Sequence, residues 1–212
     1  MRRKAQGFTL IEIMVVIAII AGLIGTVAII VPQMQEKQKR FTCASNLSQL
    51  GGIFIIERSE KHGKPKFDGT ALWLSWRKDT SKIKQGQENI LICPGDGGIS
   101  PADNPAQVAK YDDIELKNPP NDMCSYAARD FSTFPLKVES PAVQVIGCDR
   151  NGPDGRTAHH KDGLNIVFED GSTKFFDREA LGITDPKGDI VVGPEATSEQ
   201  LKHVVGVKGH KD

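Results

Sequence analysis

The sequence predicts an α+β protein in which a long N-terminal α-helix, membrane-spanning in its first half, packs on a small antiparallel β-sheet head. Three observations in the 212-residue chain predict this architecture. An unbroken apolar run occupies residues 13–31, and an amphipathic pattern follows to about residue 61. Short strand-like segments then cluster after residue 123. The helix and the strands therefore occupy separate parts of the chain.

The apolar run is long enough to cross a membrane. It has no charged side chain, and Thr26 is its only hydroxylic residue. At 1.5 Å per residue, roughly 19 residues span about 28 Å, which matches the hydrocarbon core of a bilayer. Arg2, Arg3 and Lys4 precede the run, and basic residues beside a membrane segment stay cytoplasmic. We therefore expect a single membrane pass, a cytoplasmic N-terminus and an exported head.

The helix is expected to continue beyond the membrane segment. Pro32 should kink it without necessarily ending it, and Gly51-Gly52 is its weak point, where a local break is the alternative to a continuous helix. A glycine and a proline in residues 62–65 predict the end of the helix. The apolar stripe expected to pack against the head is Phe41, Cys43, Leu47, Leu50 and Phe54.

The sequence of the first part of the head predicts one short helix and little other regular structure. Thr70 could cap a helix ending at Lys78 that carries two tryptophans, which we interpret as core anchors. Residues 90–93 predict a short extended segment, and residues 101–122 predict a long polar loop.

Strand signals cluster in the second part of the head. The candidate strands are residues 124–129, 143–149, 164–169 and 172–176. Asp170-Gly171 between the last two is the strongest short hairpin signal in the chain. The expected result is a small antiparallel sheet on the second half of the long helix.

Four cysteines lie on the side expected to be exported, where disulfides persist. They allow three pairings, and we favour Cys43 with Cys93 and Cys124 with Cys148. The alternative, that some are free and buried, stays open. No pair has C-x-x-C spacing, which argues against a zinc site or a thioredoxin-like motif.

Residues 7–12, Gly-Phe-Thr-Leu-Ile-Glu, carry the most specific signal in the chain. A secretory signal peptide has a shorter apolar core followed by a small-residue cleavage site, and neither is present here. Glu12 places a carboxylate at the start of the membrane segment, where an ionisable group costs a few kcal/mol. Such a residue indicates a function.

A short basic leader ending in Gly7, followed by Phe-Thr-Leu-Ile-Glu and a long apolar helix, resembles the type IV prepilin and type II secretion pseudopilin family. The resemblance implies that a prepilin peptidase cuts between Gly7 and Phe8 and methylates the new amino group of Phe8. It also implies that Glu12 serves filament assembly, paired with the N-terminal amine of a neighbouring subunit. A pair within the chain, between the Phe8 amine and Glu12, is the alternative that the i, i+4 spacing permits.

The resemblance implies a domain organisation and a cellular role. Residues 1–7 are the leader, residues 8–61 the long helix with residues 8–31 transmembrane, and residues 62–212 the exported head, which ends in a C-terminal tail. The expected role is a structural subunit, not an enzyme, in a type IV pilus or a type II secretion pseudopilus. The implied partners are prepilin peptidase, other pilin or pseudopilin subunits and an inner-membrane assembly platform. The protein would then lie in the inner membrane with a periplasmic head and assemble into a periplasmic or surface filament.

Composition and motifs give little support to other classes of function. Without the leader, the chain has 24 basic and 27 acidic residues, and this mildly acidic balance gives no support for a nucleic-acid partner. The alternative function is a signal-anchored exported domain that binds a ligand or acts as an enzyme, but no catalytic motif is present.

A second, looser resemblance covers the head. His160, nine residues and then Asp170-Gly171 is similar to the motif of a His-x9-Asp-Gly subfamily of prepilin-like proteins, in which the role of these residues is not settled. No metal site or cofactor is expected. A calcium site that uses Asp154, Asp162 or residues 185–189 stays an alternative, although the spacing matches no recognised calcium loop.

Overall fold

The computed structural model describes residues 8–61, 65–78, 82–96, 105–117, 119–120, 123–137, 143–149, 160, 162–185 and 190–206. The chain divides into two compact units, Met1–Gln38 and Lys39–Asp212, and the second is called the head unit below. Each unit is described by itself.

Helix α1 runs from Leu10 to Lys61, as the sequence predicts. It continues through Pro32 and also through Gly51-Gly52, so the alternative of a local break at the two glycines is excluded. Gly51 lies against Val167 and Gly171 of the sheet, because a Cβ built there would come within 2.8–3.0 Å of them. Packing against the sheet thus outweighs the low helix propensity of the two glycines.

Two further α-helices and a 3-10 helix precede the sheet. Helix α2 is Thr70–Lys78, the 3-10 helix is Glu88–Leu91, and helix α3 is Pro105–Asp112. The extended segment expected at residues 90–93 is therefore wrong for residues 90 and 91, whereas Ile92 is extended. The loop expected at residues 101–122 contains α3 instead over Pro105–Asp112. The hydroxyl of Thr70 donates to the carbonyl of Tyr126, at 3.1 Å, which ties α2 to the sheet.

The head contains a five-stranded, fully antiparallel sheet of order β4-β3-β2-β1-β5. The strands are Tyr126–Arg129 (β1), Val145–Asp149 (β2), Gly163–Phe168 (β3), Thr173–Asp177 (β4) and Val204–Val205 (β5). The first four match the predicted segments closely, and β5 was not predicted. Gly171 adopts a φ of 78° in the turn between β3 and β4, a conformation that favours glycine.

Each face of the sheet is covered by a different part of the chain. The first face packs on α1 and α2 through Leu47, Leu50, Trp73 and Trp76, all fully buried. The second face packs on the C-terminal tail, in a cluster of Leu164, Ile166, Leu181, Ile190, Val192, Leu201 and Val204. The tail, to which the sequence assigned no structure, therefore completes the core.

The cysteines follow this division into faces. Cys43 and Cys93 form a disulfide, with 5.2 Å between their Cα atoms. Cys124 lies in the cluster on the first face, and Cys148 lies in the cluster on the second. The favoured pairing of Cys124 with Cys148 is therefore wrong, because the sheet separates the two buried thiols.

Candidate functional site

The N-terminal region presents an exposed apolar helix. Gly7 lies outside the described residues, and the side chain of Phe8 is 85% exposed. Among the described residues, α1 is long and apolar enough to cross a membrane, with a mean hydropathy of 3.0 in its most apolar window. None of that window is buried inside the protein. The described chain therefore leaves this apolar surface open to lipid or to other proteins.

Glu12 forms a capping box with Thr9 at the start of α1. The backbone N–H and the hydroxyl of Thr9 donate to Glu12 Oε2 at 2.6 and 2.8 Å. The N–H of Glu12 donates to Thr9 Oγ1 at 3.3 Å. Each residue thus satisfies an N–H that the helix leaves unpaired. The partner expected for Glu12 was an amine, although the Thr-x-x-Glu spacing is itself the signature of this cap.

In the head unit, a histidine and two cysteines from distant segments meet in the core. Cys43 lies on the buried face of α1, Cys93 follows the 3-10 helix, and His160 precedes β3. His160 Nε2 lies 3.4 Å from the Sγ atom of each cysteine. The three potential ligand atoms lie within 4.8 Å of one another. The N–H of Gly95 donates to Cys93 Sγ at 3.3 Å.

Asp149, the last residue of β2, adds a carboxylate to this cluster. Its Oδ2 lies 3.6 Å from His160 Nε2, and both side chains are fully buried. The N–H and the side-chain amide of Asn165 donate to the carboxylate at 2.8 and 2.7 Å. Burial raises the pKa of Asp149 to about 6, although His160 and the hydrogen bonds from Asn165 act to lower it. We call Cys43, Cys93, Asp149 and His160 the buried cluster.

Arg40 of α1 connects the helix to the end of the sheet near the buried cluster. Its guanidinium pairs with Asp162 and lies 5.0 Å from the ring centroid of Phe175. Its carbonyl accepts from the side-chain amide of Asn165 at 3.2 Å. Asp162, a candidate for the calcium alternative, thus serves an ion pair. Asp154 and residues 186–189 of that alternative lie outside the described residues.

The His-x9-Asp-Gly residues contact α1 at two separate points. His160 meets Cys43, whereas Gly171 lies against Gly51, about two helical turns further along α1. Asp170 accepts from the N–H and the hydroxyl of Ser172 at 2.9 and 2.6 Å, and these bonds lower its pKa. The residues of the motif therefore hold both ends of the β3 region against one helix, and they do not meet in a single site.

Residues 2–29 match the family described as the prokaryotic N-terminal methylation motif. The chain carries a prepilin-type N-terminus. This is the motif of pilins and pseudopilins. The chain matches no curated protein and no solved structure.

The prepilin-type motif includes Gly7, Phe8 and Glu12, the residues that the sequence assigned to processing and assembly. The motif and the apolar helix fit a membrane-anchored protein of the pilin-like class. Such a motif points to a structural subunit rather than an enzyme. It also implies processing by prepilin peptidase and association with other pilin subunits.

The buried polar contacts of the head have no signal in the sequence. Cys93 is 50 residues from Cys43 and 67 from His160, so no spacing motif indicates their cluster. The fully buried Glu88 likewise pairs with Arg77 of α2, at 2.6 Å. The partners in both cases meet only through the tertiary fold.

Proposed function

We propose that the chain is a structural subunit of a type II secretion pseudopilus or a type IV pilus. Prepilin peptidase cuts between Gly7 and Phe8 and methylates the amine of Phe8. Residues 8–31 then anchor the protein in the inner membrane, with the N-terminus cytoplasmic and the head periplasmic. Assembly on an inner-membrane platform with other pilin or pseudopilin subunits gives a periplasmic or surface filament.

One observation carries this proposal: the methylation motif over residues 2–29 coincides with the start of a long exposed apolar helix. A membrane anchor alone needs no carboxylate in its first turn, and a charge at membrane depth costs a few kcal/mol. The favourable field of the helix N-terminus and the cap from Thr9 offset part of that cost. The amine that cleavage creates on a neighbouring subunit would neutralise the remaining charge of Glu12.

Processing is tested by expressing the full chain with and without a prepilin peptidase. Intact mass and N-terminal sequencing of the product should give a chain that begins at Phe8 with one added methyl group. Gly7→Leu is the matched variant that should stay uncut. A wild-type chain that still begins at Met1 in the presence of active peptidase would contradict the proposal and leave a signal-anchored exported domain.

Assembly is tested with Glu12→Val in cells that express the filament machinery. We expect this variant to be cut and inserted like the wild type but to be absent from sheared or cross-linked filaments. Glu36→Gln, which changes a carboxylate farther along the same helix, should assemble normally. Incorporation of Glu12→Val at the wild-type level would show that this charge has no role in assembly.

A further inference from the structure

The buried cluster has no part in the proposed filament function, yet it brings four metal-binding side chains together. Cys43, Cys93, Asp149 and His160 all have no exposed surface. One ring nitrogen, His160 Nε2, faces two sulfur atoms at 3.4 Å and one carboxylate oxygen at 3.6 Å. Sulfur, imidazole nitrogen and carboxylate oxygen are the protein ligands of zinc.

We propose that this cluster binds one divalent cation of the zinc class when the disulfide between Cys43 and Cys93 is reduced. The ligands are the two thiolates, His160 Nε2 and Asp149 Oδ2. The site is closed on all sides by the core of the head, as in structural zinc sites, where protein ligands fill all four positions. The inference concerns the head unit alone and does not depend on the filament proposal.

The distances from His160 Nε2 to the other three proposed ligands suit a tetrahedral ion. With Zn–S of about 2.3 Å and Zn–N of about 2.0 Å, a sulfur and a nitrogen on one zinc lie about 3.5 Å apart. A nitrogen and an oxygen lie about 3.4 Å apart. The observed separations from His160 Nε2 are 3.4 Å to each sulfur and 3.6 Å to Asp149 Oδ2. The two sulfurs must move apart, to about 3.8 Å, after their bond is broken, and the carboxylate of Asp149, which lies outside the group of ligand atoms within 4.8 Å of one another, must move towards them.

Hydrogen bonds around the cluster orient two of the proposed ligands. The N–H of Gly95 donates to Cys93 Sγ, and such a bond stabilises a thiolate. Asn165 donates to both oxygens of Asp149 and fixes the plane of the carboxylate. Gly95 also leaves room for the imidazole, because a Cβ there would lie 2.9 Å from His160 Cε1. Ligating side chains in metal sites are held by outer partners of this kind.

The oxidised head is cross-linked by the disulfide, and the reduced head would be cross-linked by the cation. A trialkylphosphine reduces the disulfide by a two-electron step, in which water supplies the oxygen of the phosphine oxide and the two protons of the thiols. The cation then displaces both thiol protons, which are released to solvent. The disulfide joins α1 to the segment after the 3-10 helix. The cation would join these two and also Asp149 of β2 and His160 in the segment before β3. Binding should therefore stabilise the reduced head.

The test uses the full chain in detergent micelles, purified with a tag that has no histidines. The protein is reduced with the phosphine without oxygen, and bound zinc is measured after competition with a chromophoric chelator. We expect about one zinc per reduced chain and none per oxidised chain. Cys93→Ser and His160→Ala should each weaken binding at least about tenfold, and cobalt in the reduced wild type should give thiolate charge-transfer absorption.

Two control variants remove the same residue types elsewhere in the head. Cys148→Ala and His203→Ala should bind zinc like the wild type. Three results would overturn the proposal: a folded reduced chain that binds no zinc, stoichiometric binding unchanged by His160→Ala, or a reduced chain that stays unfolded with zinc present. A higher midpoint of thermal unfolding for the reduced chain with zinc than without it would support the proposal.

Discussion

The two units of the chain use similar apolar side chains in opposite ways. In the first unit, Ile17, Ile20 and Leu23 of α1 are 48–61% exposed. In the head unit, Leu47 and Leu50 of the same helix are fully buried against the sheet and α2. The head therefore completes its own core, whereas the apolar surface of the first unit needs lipid or other subunits to cover it.

Polar groups show the same contrast between local and tertiary stabilisation. Glu12 is satisfied by Thr9, three residues away, so its environment can be read from the sequence. Asp149 is satisfied by Asn165 and faces His160, and neither is its neighbour in the chain. The proposed function of the first unit accordingly depends on a short motif, whereas the stability of the head depends on long-range contacts.

The largest effect should come from removing a buried side chain of α1 in the head. Leu47→Ala should lower the free energy of unfolding of the head by about 2–5 kcal/mol, because it leaves a cavity in a closely packed core. Ile20→Ala, the matched change in the first unit, should leave that free energy unchanged. Denaturant titrations followed by the fluorescence of Trp73 and Trp76 measure both variants. Equal losses in the two variants would contradict the contrast between the units.

Loss of the disulfide should have the next largest effect. The double variant Cys43→Ala, Cys93→Ala should lose about 2–4 kcal/mol of head stability under oxidising conditions, because a cross-link that closes a 50-residue separation restricts the unfolded chain. Chelator is present so that no metal replaces the cross-link. Addition of a phosphine should destabilise the wild type by a similar amount and leave the double variant unchanged. A wild type that does not respond to reductant would contradict the prediction.

The two adjacent glycines of α1 should respond to alanine with opposite signs. A Cβ on Gly51 would lie 2.8 Å from Val167 Cγ2 and 3.0 Å from the Cα of Gly171, whereas a Cβ on Gly52 meets nothing within 4 Å. Gly51→Ala should therefore destabilise the head by about 1–3 kcal/mol. Gly52→Ala should stabilise it by up to about 1 kcal/mol, because alanine is the better helix former. Stabilisation by both changes would show that helix propensity outweighs the contacts of Gly51.

Local patterns predicted the parts of the fold that depend on neighbouring residues. The Asp170-Gly171 turn and the strand signals beside it correctly predicted β3 and β4. The amphipathic stripe correctly predicted that α1 continues beyond the membrane segment, but Phe41, the first residue of that stripe, is 72% exposed. Residues 90–93 were assigned as extended because a short apolar run does not separate strand from helix. Pro105 at the first position of α3 was a helix-start signal that the polar character of the segment concealed.

The sequence could not predict features that depend on distant contacts. Strand β5 has only two residues, and its pairing with Ala128 and Arg129 of β1 defines it. The buried cluster joins residues from α1, β2 and two connecting segments, so no spacing motif could identify it. The prepilin-type motif, by contrast, lies within residues 2–29 and was identified from the sequence alone.

The smallest effect should come from the exposed turn between β3 and β4. Hydrogen bonds from Ser172 lower the pKa of Asp170, so the ionised carboxylate favours the folded state. The stabilisation is present above the pKa of the unfolded chain, near 4, and is lost as the pH falls through the lower folded pKa. Solvent screening should keep it to a few tenths of a kcal/mol. Carboxyl NMR titration should place the pKa of Asp170 below its ordinary value, and Ser172→Ala should raise it. An ordinary pKa for Asp170 in the wild type would show that glycine geometry and contact with Gly51 alone define this turn.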